Sequence, residues 1–200
     1  GNPEVPVGDP ISEENGVNPA TPDTLLEVPE PAVLAGLLDD WQVQRKSARV
    51  LLLIDVSGSM GDPGDPSSGE TKLDLAKTAA VQALDQFKDD DLVGLWTFST
   101  ELGPQADQNI LEVQAPARVG DVREQLANQI RELVPVANTP LYEATDEAYQ
   151  ASLEAYDPAR INAVVVLSDG QNQDGDGTDD IDQLEELLTS LRGSSEGQMT

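Results

Sequence analysis

Cysteine and histidine are both missing from the 200 residues. Their absence removes thiolate nucleophiles, imidazole bases, disulfides and the sulfur and nitrogen ligands that zinc favours, so a metal held by this chain is held by oxygen. Basic residues are scarce: 11 Lys and Arg stand against 38 Asp and Glu, a formal charge of −27. A polyanion meets repulsion over nearly the whole surface, which argues against nucleic acid or anionic lipid as a partner. No apolar run reaches the roughly 20 residues of a membrane-spanning helix, and the first residues lack the basic and apolar regions of a signal peptide, so direct membrane insertion is not expected. Neither a phosphate-binding glycine loop with its lysine nor a nucleophile elbow is present, and catalysis is not expected.

What remains is room for one α/β domain and a short extra segment. Residues 1–23 are rich in Pro, Gly, Asn and acidic side chains without an apolar period, and read as a linker or the tail of an upstream domain. Residues 24–48 read as a connecting helix opened by Pro31, with Val33, Leu34, Leu37, Leu38 and Trp41 on one face. From residue 49 to 200 strands and helices alternate. The aliphatic run Val50 to Ile54 has the pattern of a strand covered on both faces and ends in Asp55. Glu70 to Phe87 follows as a helix, Leu92 to Phe98 as a strand, Ile110 to Val113 as a short strand, and Val119 to Leu133 as a helical stripe. Thr139 and Pro140 supply an N-cap and a first helical proline, the helix running until Asp157-Pro158. Ile161 to Leu167 is a second aliphatic strand, and Ile181, Leu184, Leu188 and Leu191 mark a last helix. This order predicts a doubly wound, mainly parallel sheet with helices on both faces. Trp96, Phe98 and Phe87 fall on apolar periods and are expected in the core, while Tyr142, Tyr149 and Tyr156 form a boundary stripe on one helix.

In doubly wound sheets ligands bind outside the carboxyl ends of the strands, and two acidic loops lie there. The first, Asp55-Val56-Ser57-Gly58-Ser59, lets three oxygen-bearing side chains converge while Gly58 permits a tight turn. The second begins Ser168-Asp169-Gly170.

With these residues the sequence resembles the von Willebrand factor A family, whose metal-ion-dependent adhesion site uses Asp-x-Ser-x-Ser after the first strand, a distant Thr and a distant Asp. Asp55, Ser57 and Ser59 match the first motif, Thr139 the second and Asp169 the third. The resemblance covers roughly Arg49 to Arg192, and its specificity lies in three motifs occurring in the expected strand and helix contexts. It implies coordination of Mg2+, with Mn2+ or Ca2+ as substitutes, by the two serines and the threonine, Asp55 and Asp169 acting mainly through water or by orienting hydroxyls. A cation so held stays electron-poor and accepts an Asp or Glu carboxylate from a protein partner. The acidic rim expected from Asp62, Asp65, Asp174, Asp176, Asp179 and Asp180 asks that partner to surround its carboxylate with Lys or Arg.

Each residue also has a plainer reading: Thr139 as a helix cap, Ser57 and Ser59 as turn residues, Asp169-Gly170 as a turn pair. Residues 172–183 resemble the start of a calcium loop, but Gln183 stands where the bidentate Glu belongs, leaving a solvated acidic loop as the default. The resemblance implies a further strand, helix and strand after the last helix, so the chain is expected to be incomplete at its C-terminus, with the edge of Ile161 to Leu167 left open. The segment from Asn15 to Gln42 is similar to the junction of bacterial proteins that join a solute-binding domain to an A domain, which implies an extracellular or cell-surface location. The competing expectation is an intracellular assembly subunit of a chelatase-type complex that uses the same site.

Overall fold

The computed structural model describes residues 46–64, 69–104, 106–170, 172–173 and 180–196. The linker expected over 1–23 lies outside these residues. So does the connecting helix up to residue 45; Ala48, at its expected end, instead opens the first strand.

Strand β1 (Ala48–Asp55) is the centre of the sheet, and its aliphatic run is almost entirely buried, with Leu53 and Ile54 fully enclosed. It pairs in parallel with β2 (Leu92–Leu102) on one side and with β4 (Ile161–Leu167) on the other. Strand β3 (Gln108–Arg118) pairs antiparallel with β2, giving the order β3-β2-β1-β4. Among the described residues β4 pairs with β1 alone, and Ile161 and Val165 on it are exposed.

The sheet is mainly parallel, as the alternation of elements predicts, but two strands are longer than their apolar runs. β2 continues past Phe98 to Leu102, and β3 spans Gln108–Arg118 where only Ile110 to Val113 is expected. Backbone pairing carries these extensions: β3 is an edge strand whose polar residues face water, and Pro116 is tolerated because an edge strand need not donate on both sides. Opposite that ring lies Gly94. A Cβ there would sit 3.0 Å from Pro116 and 3.2 Å from Leu51, so any larger residue would have to push the proline ring and the leucine aside by a few tenths of an ångström.

Helix α1 (Lys72–Leu84) begins two residues after the expected Glu70 because Thr71 caps it. The Thr71 hydroxyl accepts from the Asp74 amide while the Asp74 carboxylate accepts from the Thr71 amide. At the other end the Arg123 guanidinium donates to the Leu84 and Phe87 carbonyls, placing positive charge at the helix C-terminus. α1 and α2 (Val119–Arg131) cover one face of the sheet, where Leu73, Leu84, Leu126 and Ile130 pack with Leu52 and Ile54.

Helix α3 (Leu141–Glu154) covers the other face through Ala144 and Ala148, which lie in one cluster with Leu51, Leu53 and Phe98. Helix α4 (Asp180–Glu196) packs on α3, and the Tyr149 hydroxyl reaches the Leu191 carbonyl at 3.4 Å. Of the expected core aromatics, Phe98 is fully buried and Phe87 packs against the first cluster. Trp96 is partly buried, its indole N–H donating to Glu112 at 3.1 Å. No helix among the described residues is long and apolar enough to cross a membrane.

Candidate functional site

From β1 the chain moves to one side to form β2 and later returns to the other side as β4. The carboxyl ends of β1 and β4 therefore border the crevice at which crossover direction changes, the usual place for a ligand in such a sheet. Asp55 is the last residue of β1, and Ser168 and Asp169 directly follow β4.

Asp55 is completely buried, and both carboxylate oxygens are engaged. Oδ1 accepts the Ser57 amide at 2.8 Å and Oδ2 accepts the Ser168 hydroxyl at 2.6 Å. One side chain thus closes its own loop and joins it to the loop after β4. The chain then enters a 3-10 turn, Gly58–Gly61. Ser57 is buried, Ser59 is half-buried, and their hydroxyl oxygens stand 3.2 Å apart.

The segment before α3 lies along this turn. Val136 N–H donates to the Val56 carbonyl at 2.7 Å and Gly58 N–H to the Ala137 carbonyl at 2.6 Å, which brings the stretch leading to Thr139 against the serine loop. Thr139 is buried. Its amide and carbonyl both pair with Gln173, each bond 2.8 Å long, so it is also tied to the loop after β4.

The capping role expected for Thr139 is corrected by this arrangement. Pro140, not Thr139, is the residue before the helix, and Leu141 is the first helical residue. Held in its bridge to Gln173, Thr139 keeps the chain straight for one residue more, and the open amides of Leu141 and Tyr142 are met by the Asn172 side-chain oxygen at 2.9 and 3.4 Å. A cap borrowed from another loop stabilises by about 1 kcal/mol, so Asn172→Ala is expected to lower stability by that amount in urea unfolding without altering secondary structure.

Asp169 is nearly enclosed, its side chain 12% exposed, and it forms an ion pair of 2.7 Å with Lys72 at the start of α1. The Asp169 carboxylate that accepts this hydrogen bond, with Asp62 and Asp55 nearby, holds the Lys72 ammonium above its ordinary pKa. Among the described residues no three acidic side chains gather as a metal cage.

Of the expected acidic rim, Asp62 is exposed beside the first loop. Asp65, Asp174, Asp176 and Asp179, the Asp180 side chain and most of the expected calcium-loop segment lie outside the described residues. A cleft of about 480 Å³ does open between α3 and α4, lined by Asn109, Glu143, Asp146, Gln183 and Glu186. The partners of Ser168, Lys72 and Asn172 are not legible in the sequence, because each lies far away in the chain.

The model of the von Willebrand factor type A domain family matches residues 50–171. Among solved structures, the chain is similar to a von Willebrand factor type A protein from Catenulispora acidiphila, with 20% identity and a TM-score of 0.54 over 74% of this chain and 32% of that one. It is also similar to the pilus adhesin SpaC from Lactobacillus rhamnosus GG, with 18% identity and a TM-score of 0.51 over 64% of this chain and 16% of that one. This chain therefore spans less than a third of the length of either. No curated protein matches it.

Proposed function

The chain belongs to the von Willebrand factor type A domain family, and on that premise we propose that it is a metal-dependent protein-binding module. Asp55, Ser57, Ser59, Thr139 and Asp169 hold Mg2+, for which Mn2+ or Ca2+ can substitute, and a partner's Asp or Glu carboxylate completes the coordination. The paired serine hydroxyls carry this reading. Neighbouring ligands of an octahedral ion with bonds of 2.0–2.1 Å are separated by about 3 Å, and the Ser57 and Ser59 oxygens are already 3.2 Å apart.

The donor set has a further chemical logic. Asp55 has both oxygens committed to Ser57 and Ser168, so it acts by fixing the loop and through water instead of neutralising the ion directly. Asp169 already shares its charge with Lys72. When bound, the ion supplies a net positive centre with an exchangeable position, suited to an incoming carboxylate. Two hydroxyls turned to that task are poor nucleophiles, and the reading is one of binding without turnover. The adhesin among the similar structures supports an adhesive role at a cell surface or outside the cell. Asp62 and the acidic cleft between α3 and α4 favour a partner whose carboxylate is flanked by Lys or Arg.

Immobilised peptides carrying one Asp or Glu among basic residues provide the test. The protein is expected to be retained in Mg2+ and released by chelator, and to ignore peptides in which Asn or Gln replaces the acid. Retention that persists in chelator would overturn the proposal.

A further inference from the structure

Lys72 is the first residue of α1, yet its ammonium is not spent on its own helix. It crosses to Asp169 Oδ2 at 2.7 Å, joining two positions 97 residues apart. Its side chain is 36% exposed, whereas that of Asp169 is 12% exposed, so the lysine approaches from solvent and covers one oxygen of a carboxylate that is otherwise nearly enclosed. Asp55 and Asp62 act on the same ammonium. The influence is mutual: a positive charge that feels three carboxylates also reduces the attraction they offer to any other cation.

We infer that Lys72 is a built-in counter-charge that sets the strength of the divalent site, weakening cation binding by neutralising Asp169 and occupying one of its carboxylate oxygens. This inference rests on the metal-binding reading above and assigns a role to a residue outside its ligand set. The consequence is a trade. A site with an uncompensated Asp169 would hold its ion more firmly but leave it less positive, and the ion would draw a partner's acid group less strongly.

The test is the affinity of the whole chain for Mn2+, read from the signal of free Mn2+ by electron paramagnetic resonance, with no partner present. Lys72→Gln keeps a hydrogen-bond donor and removes the charge; Lys72→Arg keeps the charge. The Gln variant is expected to bind Mn2+ at least about fivefold more tightly than the unmodified chain, the scale of one unit charge acting on a divalent ion near the surface. The Arg variant is expected to stay within about twofold of it. Lys72→Ala repeats the loss of charge with a good helix former if the Gln variant does not fold.

Unchanged or weaker binding by the neutral variants, while the unmodified chain binds, overturns the role of Lys72 and leaves the metal reading standing. Tighter binding by the Arg variant as well would also overturn it, since charge would not be the cause. Absence of Mn2+ binding by every form would overturn the metal reading, and this inference with it.

Discussion

Replacing Ser57 and Ser59 together by alanine is expected to weaken Mn2+ binding by more than about 100-fold, since even groups one step removed from a metal contribute about 10–100-fold. The fold should survive this change. Ser57 is buried beside a backbone already held by the bond from its amide to Asp55 and by that from Gly58 to Ala137, neither of which involves a serine hydroxyl. Removing both hydroxyls also removes two polar groups that face each other, so no partner is left stranded between them. Calorimetry without metal should place the melting temperature of the double variant within a few degrees of the parent. Retained Mn2+ affinity would show that the serines are turn residues; a collapsed fold would show that their hydroxyls are structural.

The largest expected loss of stability is at Phe98. It is completely enclosed in the cluster that α3 covers, lies opposite Asp55 in the pairing of β1 and β2, and accepts the Val56 amide through its carbonyl at 3.0 Å. Phe98→Ala should cost about 3–5 kcal/mol, the usual consequence of emptying an aromatic site that cannot collapse. For a domain of this size that lowers the melting temperature on the order of 10 °C. Phe98→Leu, which refills most of the volume, should recover more than half of the loss. Urea unfolding of the parent and the two variants measures both steps, and an alanine variant within 1 kcal/mol of the parent, a margin of about one methylene, would mean that the cluster is not packed as described.

These two predictions draw on different kinds of sequence information. β1 and β4 are legible because aliphatic runs ending in acidic loops have few other structural solutions, and the helices because their apolar residues recur at helical spacing. β3 is only partly legible, since a polar edge strand is made by its neighbour's backbone more than by its own side chains. The serine loop is legible as a motif. Its supports are not: Lys72 meets Asp169 across 97 positions and Ser168 meets Asp55 across 113, and local periodicity carries no trace of such pairs. Thr139 shows the converse error. Thr-Pro before an apolar stripe is a sound cap signal locally, but the bridge to Gln173 keeps Thr139 extended and Asn172 serves the helix instead.

That bridge and that borrowed cap together make a mechanical joint. The loop following β4 grips Thr139 by two backbone bonds and the first turn of α3 by an amide side chain, and on its other flank the Asn172 side chain reaches Gln183 in α4 at 2.8 Å. The two helices of that face are therefore tied to each other through one amide side chain, in addition to their own packing.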